Sequence, residues 1–186
     1  MITTIARDIA SQGGRAFYTG GYVRDYLLAG KVANGKDIDL EVFGLDKDEL
    51  LSVLSTYGQP IEVGKSFPVI KMSHHPEWDF TLPETPGASY QEACARRDFT
   101  INAMMMDVLT GEILDFFGGQ EDLKNKLIRH TTEQVFAVDP LRAYRAVQLA
   151  ARFGFSIDAA TLELIKHSNL GDIKPERILE ELHKLL

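Results

Sequence analysis

Cysteine is almost missing from this chain. The single one in 186 residues, Cys94, excludes an internal disulfide framework, and it reads as a small buried hydrophobe rather than a nucleophile. Long apolar runs are missing too: none approaches the ~18 residues that a membrane span needs. Met1 to Arg15 lacks the pattern of a signal peptide. The expectation is a cytoplasmic protein without a membrane partner. Nor is there an excess of positive charge. Twenty Lys and Arg stand against 27 Asp and Glu, a net charge of −7, which argues against a broadly basic nucleic-acid coat. A local positive stripe can still operate inside an acidic protein. No internal repeat or low-complexity tract is visible. What is present is an ordinary 45% of hydrophobic residues, enough for a sizeable core. The length suits one main domain with a small appendage.

Along the chain, Ile2 to Ile9 fits a short helix and Ala16 to Thr19 a buried strand ending at Gly20-Gly21. Val23 to Leu28 carries an apolar helical stripe that stops near Gly30. Residues Asp37 to Phe43 alternate strictly, with Ile38, Leu40 and Val42 against Asp37, Asp39 and Glu41, which predicts a strand with one buried and one acidic face. Asp46 to Leu54 reads as a capped helix. Ile61 to Val63, Val69 to Met72 and Trp78 to Leu82 look like short strands, and Pro83 to Ser89 like a loop. After Asp98 an apolar run, a turn at Thr110-Gly111 and a strand Ile113 to Phe116 suggest a hairpin. From Gln120 the character turns helical. Asp139 is a plausible N-cap before Pro140, with a helix to about Phe153 stopped by Gly154. Asp158 to His167 and Pro175 to Leu186 follow as two more helices. The order is a mixed α/β unit over residues 1–130, then an all-helical segment over 131–186.

Two aspartates two residues apart on a strand share a side, with their bases ~6–7 Å apart. Asp37 and Asp39 can therefore share divalent ions, and carboxylates are the hard ligands that Mg²⁺ prefers. Two such ions ~3.5–4 Å apart can clamp both oxygens of an in-line phosphoryl displacement. The plain alternative is the solvated face of an edge strand. Asp79, on another predicted strand and opposite in side to Trp78 and Phe80, is a possible third carboxylate, with Glu41 as a competitor.

The Gly20-Gly21 turn follows a strand and opens a helix holding Arg24. Amides at a helix N-terminus bind anions, glycine lets a phosphate approach, and Arg24 can add a charge-assisted bond. Taken alone it is as well read as a tight turn. It is neither a Walker loop nor the Rossmann fingerprint. Arg96-Arg97-Asp98, followed by Asn102, reads on its own as a surface charge cluster. Asp139, Arg142 and Arg145 stand at i, i+3 and i+6, with Ala143, Tyr144, Val147, Ala150 and Ala151 mostly opposite. The bland reading is an exposed helix face with one ion pair. The functional reading is base recognition. Cytosine and adenine present an amine donor beside a ring-nitrogen acceptor, and guanine and uracil the reverse. An aspartate beside an arginine matches the first two and rejects the others, and such paired bonds discriminate by ~1–3 kcal/mol.

The ordered set of motifs resembles the class II tRNA nucleotidyltransferase (CCA-adding) and bacterial poly(A) polymerase family. Its parts are Gly20-Gly21-Tyr22-Val23-Arg24-Asp25, Asp37-Ile38-Asp39-Leu40, and Arg96-Arg97-Asp98-Phe99-Thr100-Ile101-Asn102-Ala103. Asp115 to Gly119, Asp122-Leu123, Ile128-Arg129 and the run Asp139 to Val147 complete it, so the likeness extends from about Phe17 to the C-terminus. The resemblance implies an α/β (α+β) polymerase-β-like head with a mixed sheet and a helical neck. It implies Asp37 and Asp39 as catalytic Mg²⁺ ligands, and Gly20, Gly21, Arg24, Arg97, Asp139, Arg142 and Arg145 as nucleotide-binding positions. It implies that Asp98 and Asn102, in the same motif, shape the ribose and phosphate side. CTP and ATP would be the donors, with a tRNA or other RNA 3′ end as acceptor. The family's body and tail domains are not found in this sequence, so a fragment of a longer enzyme is expected, with the apolar stripe Ile178, Leu179, Leu182 and Leu185 left uncovered.

Three departures from the family pattern bear on specificity. Val138 stands where many members carry an acid, Gln148 where many carry an arginine, and the loop Leu82 to Gln91 is short and lacks basic residues. Met104-Met105-Met106 reads as strand core, and His74-His75 as part of a turn. Lys65, Ser66 and Lys71 read as solvated loop positions that could face substrate. Two other function classes compete. A binding module that has lost activity would not need both Asp37 and Asp39 with Arg24. An Asp-x-Asp glycosyltransferase would not call for the Arg97 motif or the Asp139 helix.

Overall fold

The computed structural model describes residues 1–30, 37–64, 68–171 and 173–184. The chain divides into two compact units, neither continuous in sequence: Met1–Ala93 with Met104–Leu114, and Cys94–Ala103 with Asp115–Leu186. The boundary read from sequence near residue 130 falls inside the second unit. Compactness follows strand pairing, which returns the chain to the first unit after residue 103.

The first unit is built on α1 (Ile2–Ser11), β1 (Arg15–Thr19), α2 (Gly21–Ala29), β2 (Ile38–Phe43), α3 (Lys47–Ser55), β3 (Pro60–Val63), β4 (Val69–Met72) and β5 (His75–Thr81). After α4 (Tyr90–Ala95) the chain comes back as β6 (Met104–Asp107) and β7 (Ile113–Asp115). The mixed sheet expected from sequence has seven strands in the order β3-β4-β5-β2-β1-β6-β7. β2 is antiparallel to β1 and parallel to β5. Strand periodicity explains its two faces. Leu40 and Val42 of β2, Ile70 and Met72 of β4, and Trp78 and Phe80 of β5 join one buried cluster. That cluster also contains Ile5, Ala6 and Ile9 of α1 and Leu50, Val53 and Leu54 of α3. The intervening residues, Asp39, Glu41, Lys71 and Asp79, therefore belong to the opposite face. Toward the C-terminal end of β2 that face carries Phe43, which meets Phe17 and Tyr90 edge-on at 5.7 and 4.8 Å.

Local sequence sets the ends of these elements. Asp46 caps α3: its side chain accepts from the Glu49 N–H at 2.9 Å, while Glu49 accepts from the Asp46 N–H at 2.8 Å. This reciprocal pair is the capping box. The β6–β7 hairpin is held by Asp107, whose Oδ1 accepts from the Leu109 and Thr110 N–H groups, both at 2.9 Å. Met104, Met105 and Met106 are buried, as the apolar run predicts. Two readings need correction. Lys71 lies within β4 rather than a loop, and His75 begins β5 and stacks on Trp78 at 3.8 Å. Lys65 and Ser66 lie outside the described residues.

The second unit contains α5 (Gly119–Lys124), β8 (Leu127–Ile128), α6 (Gln134–Val138), α7 (Arg142–Phe153), β9 (Ser156–Ile157), α8 (Ala159–His167) and α9 (Pro175–His183). It is not wholly helical, because β8 and β9 form a two-stranded parallel pair. The segment 94–103 joins this unit through main-chain bonds, the Thr100 N–H donating to the Arg129 carbonyl at 2.9 Å. Asp122 is buried and accepts from the Thr100 hydroxyl at 2.7 Å and from Arg129 Nε at 3.2 Å. Gly154 ends α7 in the left-handed conformation, as expected.

Candidate active-site residues

In the first unit, Asp37 immediately precedes β2 and Asp39 lies within it, and both are exposed. Asp39 is in register with Asp79 of the parallel strand β5. Residues paired across a parallel ladder project to one side, so both carboxylates belong to the face opposite the apolar cluster. Asp79 is also in register with Lys71 of β4, and their side chains form an ion pair. The Lys71 ammonium donates in addition to the Pro76 carbonyl at 3.0 Å. The sheet thus sets Lys71, Asp79 and Asp39 side by side on three adjacent strands. Glu41, the competing third carboxylate, is buried at 3% exposure and one full period further along β2. Among the described residues no three His, Cys, Asp or Glu side chains converge as a complete metal cage. Two carboxylates on one strand face nonetheless suit an ion that keeps water and substrate oxygens as its remaining ligands.

The glycine turn has the backbone that its sequence requires. Gly20 sits at φ 62°, ψ −133° as the N-cap of α2, in a region that disfavours side chains. A Cβ on Gly21 would lie 3.1 Å from Arg24 Nη2, so the bare backbone lets the guanidinium pack against the turn. Arg24 is buried at 5% exposure and donates from Nε to Asp25 Oδ1 at 2.8 Å. Behind the turn Tyr18 stacks on Tyr22 at 4.2 Å, and burial followed by the neighbouring phenol pushes the Tyr18 hydroxyl up to about 12.

The second unit holds the remaining candidates. Arg97 is half-buried, and its carbonyl accepts from the Thr131 hydroxyl at 2.5 Å. Asp98 is buried, with Oδ1 accepting from the Phe99 N–H at 2.7 Å and from Asn102 Nδ2 at 3.0 Å. Its Oδ2 accepts from Arg145 Nη1 at 3.0 Å. Burial alone would raise the Asp98 carboxyl. The Arg145 charge and these hydrogen bonds outweigh it and hold the group below the usual carboxylate range. Arg145 also donates from Nε to Glu181 of α9 at 3.2 Å. Burial works against the guanidinium charge, and the Asp98 and Glu181 carboxylates reverse that, so its pKa rises.

Asp139 does not cap a helix that begins at Pro140. It is the extended residue between α6 and α7, at φ −144°, ψ 99°. Its Oδ1 accepts from the Leu141 N–H at 3.2 Å, while Arg177 of α9 donates from Nη2 to Oδ1 at 3.3 Å and to Oδ2 at 3.0 Å. Arg142 donates from Nη2 to the Arg96 carbonyl at 2.9 Å, and its Nε is buried without a hydrogen-bond partner among the described residues. Burial, ahead of the opposing pull of Asp98 and Asp139, lowers the Arg142 pKa. The polar stripe of α7 is not an open solvent face. Gln148 is buried and donates to the Lys184 carbonyl at 3.4 Å, whereas Val147 is 51% exposed. Val138 is 77% exposed, so nothing acidic or apolar is buried at that position. On α9, Leu179 and Leu182 are exposed, as the uncovered stripe suggested, and Leu185 lies outside the described residues.

Sequence reasoning missed Arg177 and Glu181. They stand four apart on one helix face, and their opposite charges complement Asp139 and Arg145. That complementarity was the available signal, hidden because α9 was read for its apolar stripe alone.

Residues 77–129 match the Poly A polymerase head domain. The Multifunctional CCA protein of Haemophilus ducreyi is 37% identical over 192 residues, covering 91% of this chain and 44% of that protein. The CCA-adding enzyme of Coxiella burnetii is 36% identical over 192 residues, covering 92% of this chain and 48% of that protein. Among solved structures, the Thermotoga maritima CCA-adding enzyme complexed with tRNA aligns at a TM-score of 0.85 and 29% identity. That alignment covers 99% of this chain and 46% of that one. The chain thus spans just under half the length of these relatives.

Proposed function

We propose that this chain, a homologue of the CCA-adding enzymes that carries the poly A polymerase head domain, is an RNA 3′-terminal nucleotidyltransferase. It adds CMP and/or AMP from CTP and ATP to tRNA in the cytoplasm. The observation that carries this reading is the pair Asp37, just before β2, and Asp39, on its non-core face, one helix after the Gly20-Gly21 turn.

Asp37 and Asp39 would hold Mg²⁺, and Asp79, in register with Asp39, would complete the set once its carboxylate turns from Lys71. A metal held there would lower the pKa of the RNA 3′-hydroxyl and neutralise charge on the triphosphate. The hydroxyl gives its proton to solvent as its oxygen attacks the α-phosphorus, a new P–O bond forms, and pyrophosphate leaves with the electron pair of the broken bond. The rest is positioning. The first amides of α2 and the Arg24 guanidinium receive triphosphate oxygens, and Gly20 and Gly21 keep that approach open. Arg97 supplies a further cation. Asp98 acts indirectly, fixing Asn102 and Arg145 on the ribose and phosphate side. Asp139 accepts the exocyclic amine of cytosine or adenine while Arg142 donates to the ring nitrogen, and guanine and uracil present the reverse pattern.

Incubation with labelled CTP or ATP, Mg²⁺ and a tRNA lacking its CCA end tests this function. The expected result is addition that Asp39→Ala abolishes, without loss of the folded state. Near-normal turnover in Asp39→Ala would remove the metal assignment. The name of the matched head domain supports a second reading, an adenylyltransferase of the poly(A) polymerase type. It would show as ATP-only addition in long tracts.

A further inference from the structure

Asp139 has no helix to orient it. Its backbone is extended, between the end of α6 and the start of α7, so contacts to the side chain must fix the carboxylate. There are three: the Leu141 N–H on Oδ1, and Arg177 Nη2, shared between Oδ1 at 3.3 Å and Oδ2 at 3.0 Å. An ionised carboxylate offers about four lone-pair directions. Two bonds fill Oδ1 and one occupies Oδ2, leaving a single acceptor direction on Oδ2. Arg177 is itself anchored, because α9 is tied to α7 one turn further on by Glu181, which receives Arg145 Nε at 3.2 Å and Lys184 Nζ at 2.8 Å.

We propose that Arg177 is a specificity-determining positioning residue, which fixes Asp139 so that its one remaining acceptor direction faces the amine of the incoming base. The inference rests on the base-reading role proposed above for Asp139. A carboxylate whose two oxygens are both held by one guanidinium nitrogen, and by the Leu141 N–H, cannot swing freely to accept from other donors. An ionised, fixed acceptor repels the O6 of guanine and the O4 of uracil while receiving the amine of adenine or cytosine. Without Arg177, the carboxylate must be ordered when the nucleotide binds, and that cost falls only on the bases it recognises.

The test measures binding of CTP, ATP, GTP and UTP, each with Mg²⁺, to the 186-residue chain and its variants. Arg177→Met is expected to weaken CTP and ATP about tenfold, a change of about 1.4 kcal/mol, with GTP and UTP unaltered. Arg177→Lys, which keeps one cationic nitrogen on a shorter and more flexible stem, should recover part of that difference. Glu181→Gln loosens the anchor of Arg177, and it should weaken CTP and ATP more than GTP and UTP. Equal loss of all four nucleotides in Arg177→Met, or unchanged or tighter CTP and ATP binding, overturns the inference. If Asp139→Asn loses discrimination while Arg177→Met keeps it, the role of Arg177 fails and base reading by Asp139 stands. If Asp139→Asn also discriminates as before, base reading by Asp139 falls, and the inference with it.

Discussion

Asp98 shows how a single buried carboxylate organises its surroundings. Its two oxygens accept from Phe99, Asn102 and Arg145, all donors, so an amide in its place would set donor against donor. Asp98→Asn should cost about 1–3 kcal/mol, the range for leaving a buried polar group unsatisfied. Urea unfolding at neutral pH measures it. The same residue predicts a pH dependence. Its folded carboxyl titrates below its unfolded value, which lies near pH 4. The stabilisation is therefore complete above that value and is lost as pH falls toward the folded pKa. Below about pH 4 the wild type should lose stability more steeply than Asp98→Asn, which has no proton to gain there. Parallel slopes in the two proteins would show that the group is not preferentially ionised in the folded state.

Elements differ in how far their sequence announces them. The alternation of β2 and the reciprocal pair Asp46 and Glu49 are local signals, written within six residues, and both elements form where those signals lie. The acidic face of β2 and the glycine turn were legible for the same reason. The start of α7 was not. Asp139 and Pro140 look like a cap and a first helical turn, yet the helix begins at Arg142. The Asp139 carboxylate accepts from the Leu141 N–H and is shared with Arg177 of α9, a partner 38 residues away that no local signal announces. The ion pair of Lys71 with Asp79 was hidden in the same way, since it depends on strand register. Turns give a sharper element-scale prediction. Gly154 and Gly44 both have left-handed backbones, at φ 65° and 82°. A Cβ on Gly154 would meet nothing within 4 Å, whereas one on Gly44 would sit 2.9 Å from the Gly13 carbonyl oxygen. Gly154→Ala should cost about 1–2 kcal/mol from backbone conformation alone. Gly44→Ala should cost clearly more, because main chain has to move, and thermal melts of the two variants will rank them.

Charge is divided unevenly across the whole molecule. The first unit carries eight Lys and Arg against fifteen Asp and Glu, while the second is balanced at twelve of each, so the net −7 resides entirely in the first. Phosphate contacts must then come from a few local cations rather than from a general positive field. Binding of tRNA by these 186 residues should be weak and should fall steeply between 50 and 200 mM salt, whereas nucleotide binding should persist. Tight tRNA binding that resists salt would contradict this. The two-unit division also governs how the chain can be made. The ribosome delivers sequence from the N-terminus, and folding follows delivery. When residue 93 emerges, β1 is paired with β2 but its other edge still awaits β6, which begins at Met104. The ten residues delivered in between belong to the other unit, whose remaining partners start only at Asp115. A nascent chain stalled before residue 104 therefore presents an unpaired strand edge at Phe17 to Thr19, open to chaperones and to neighbouring nascent chains.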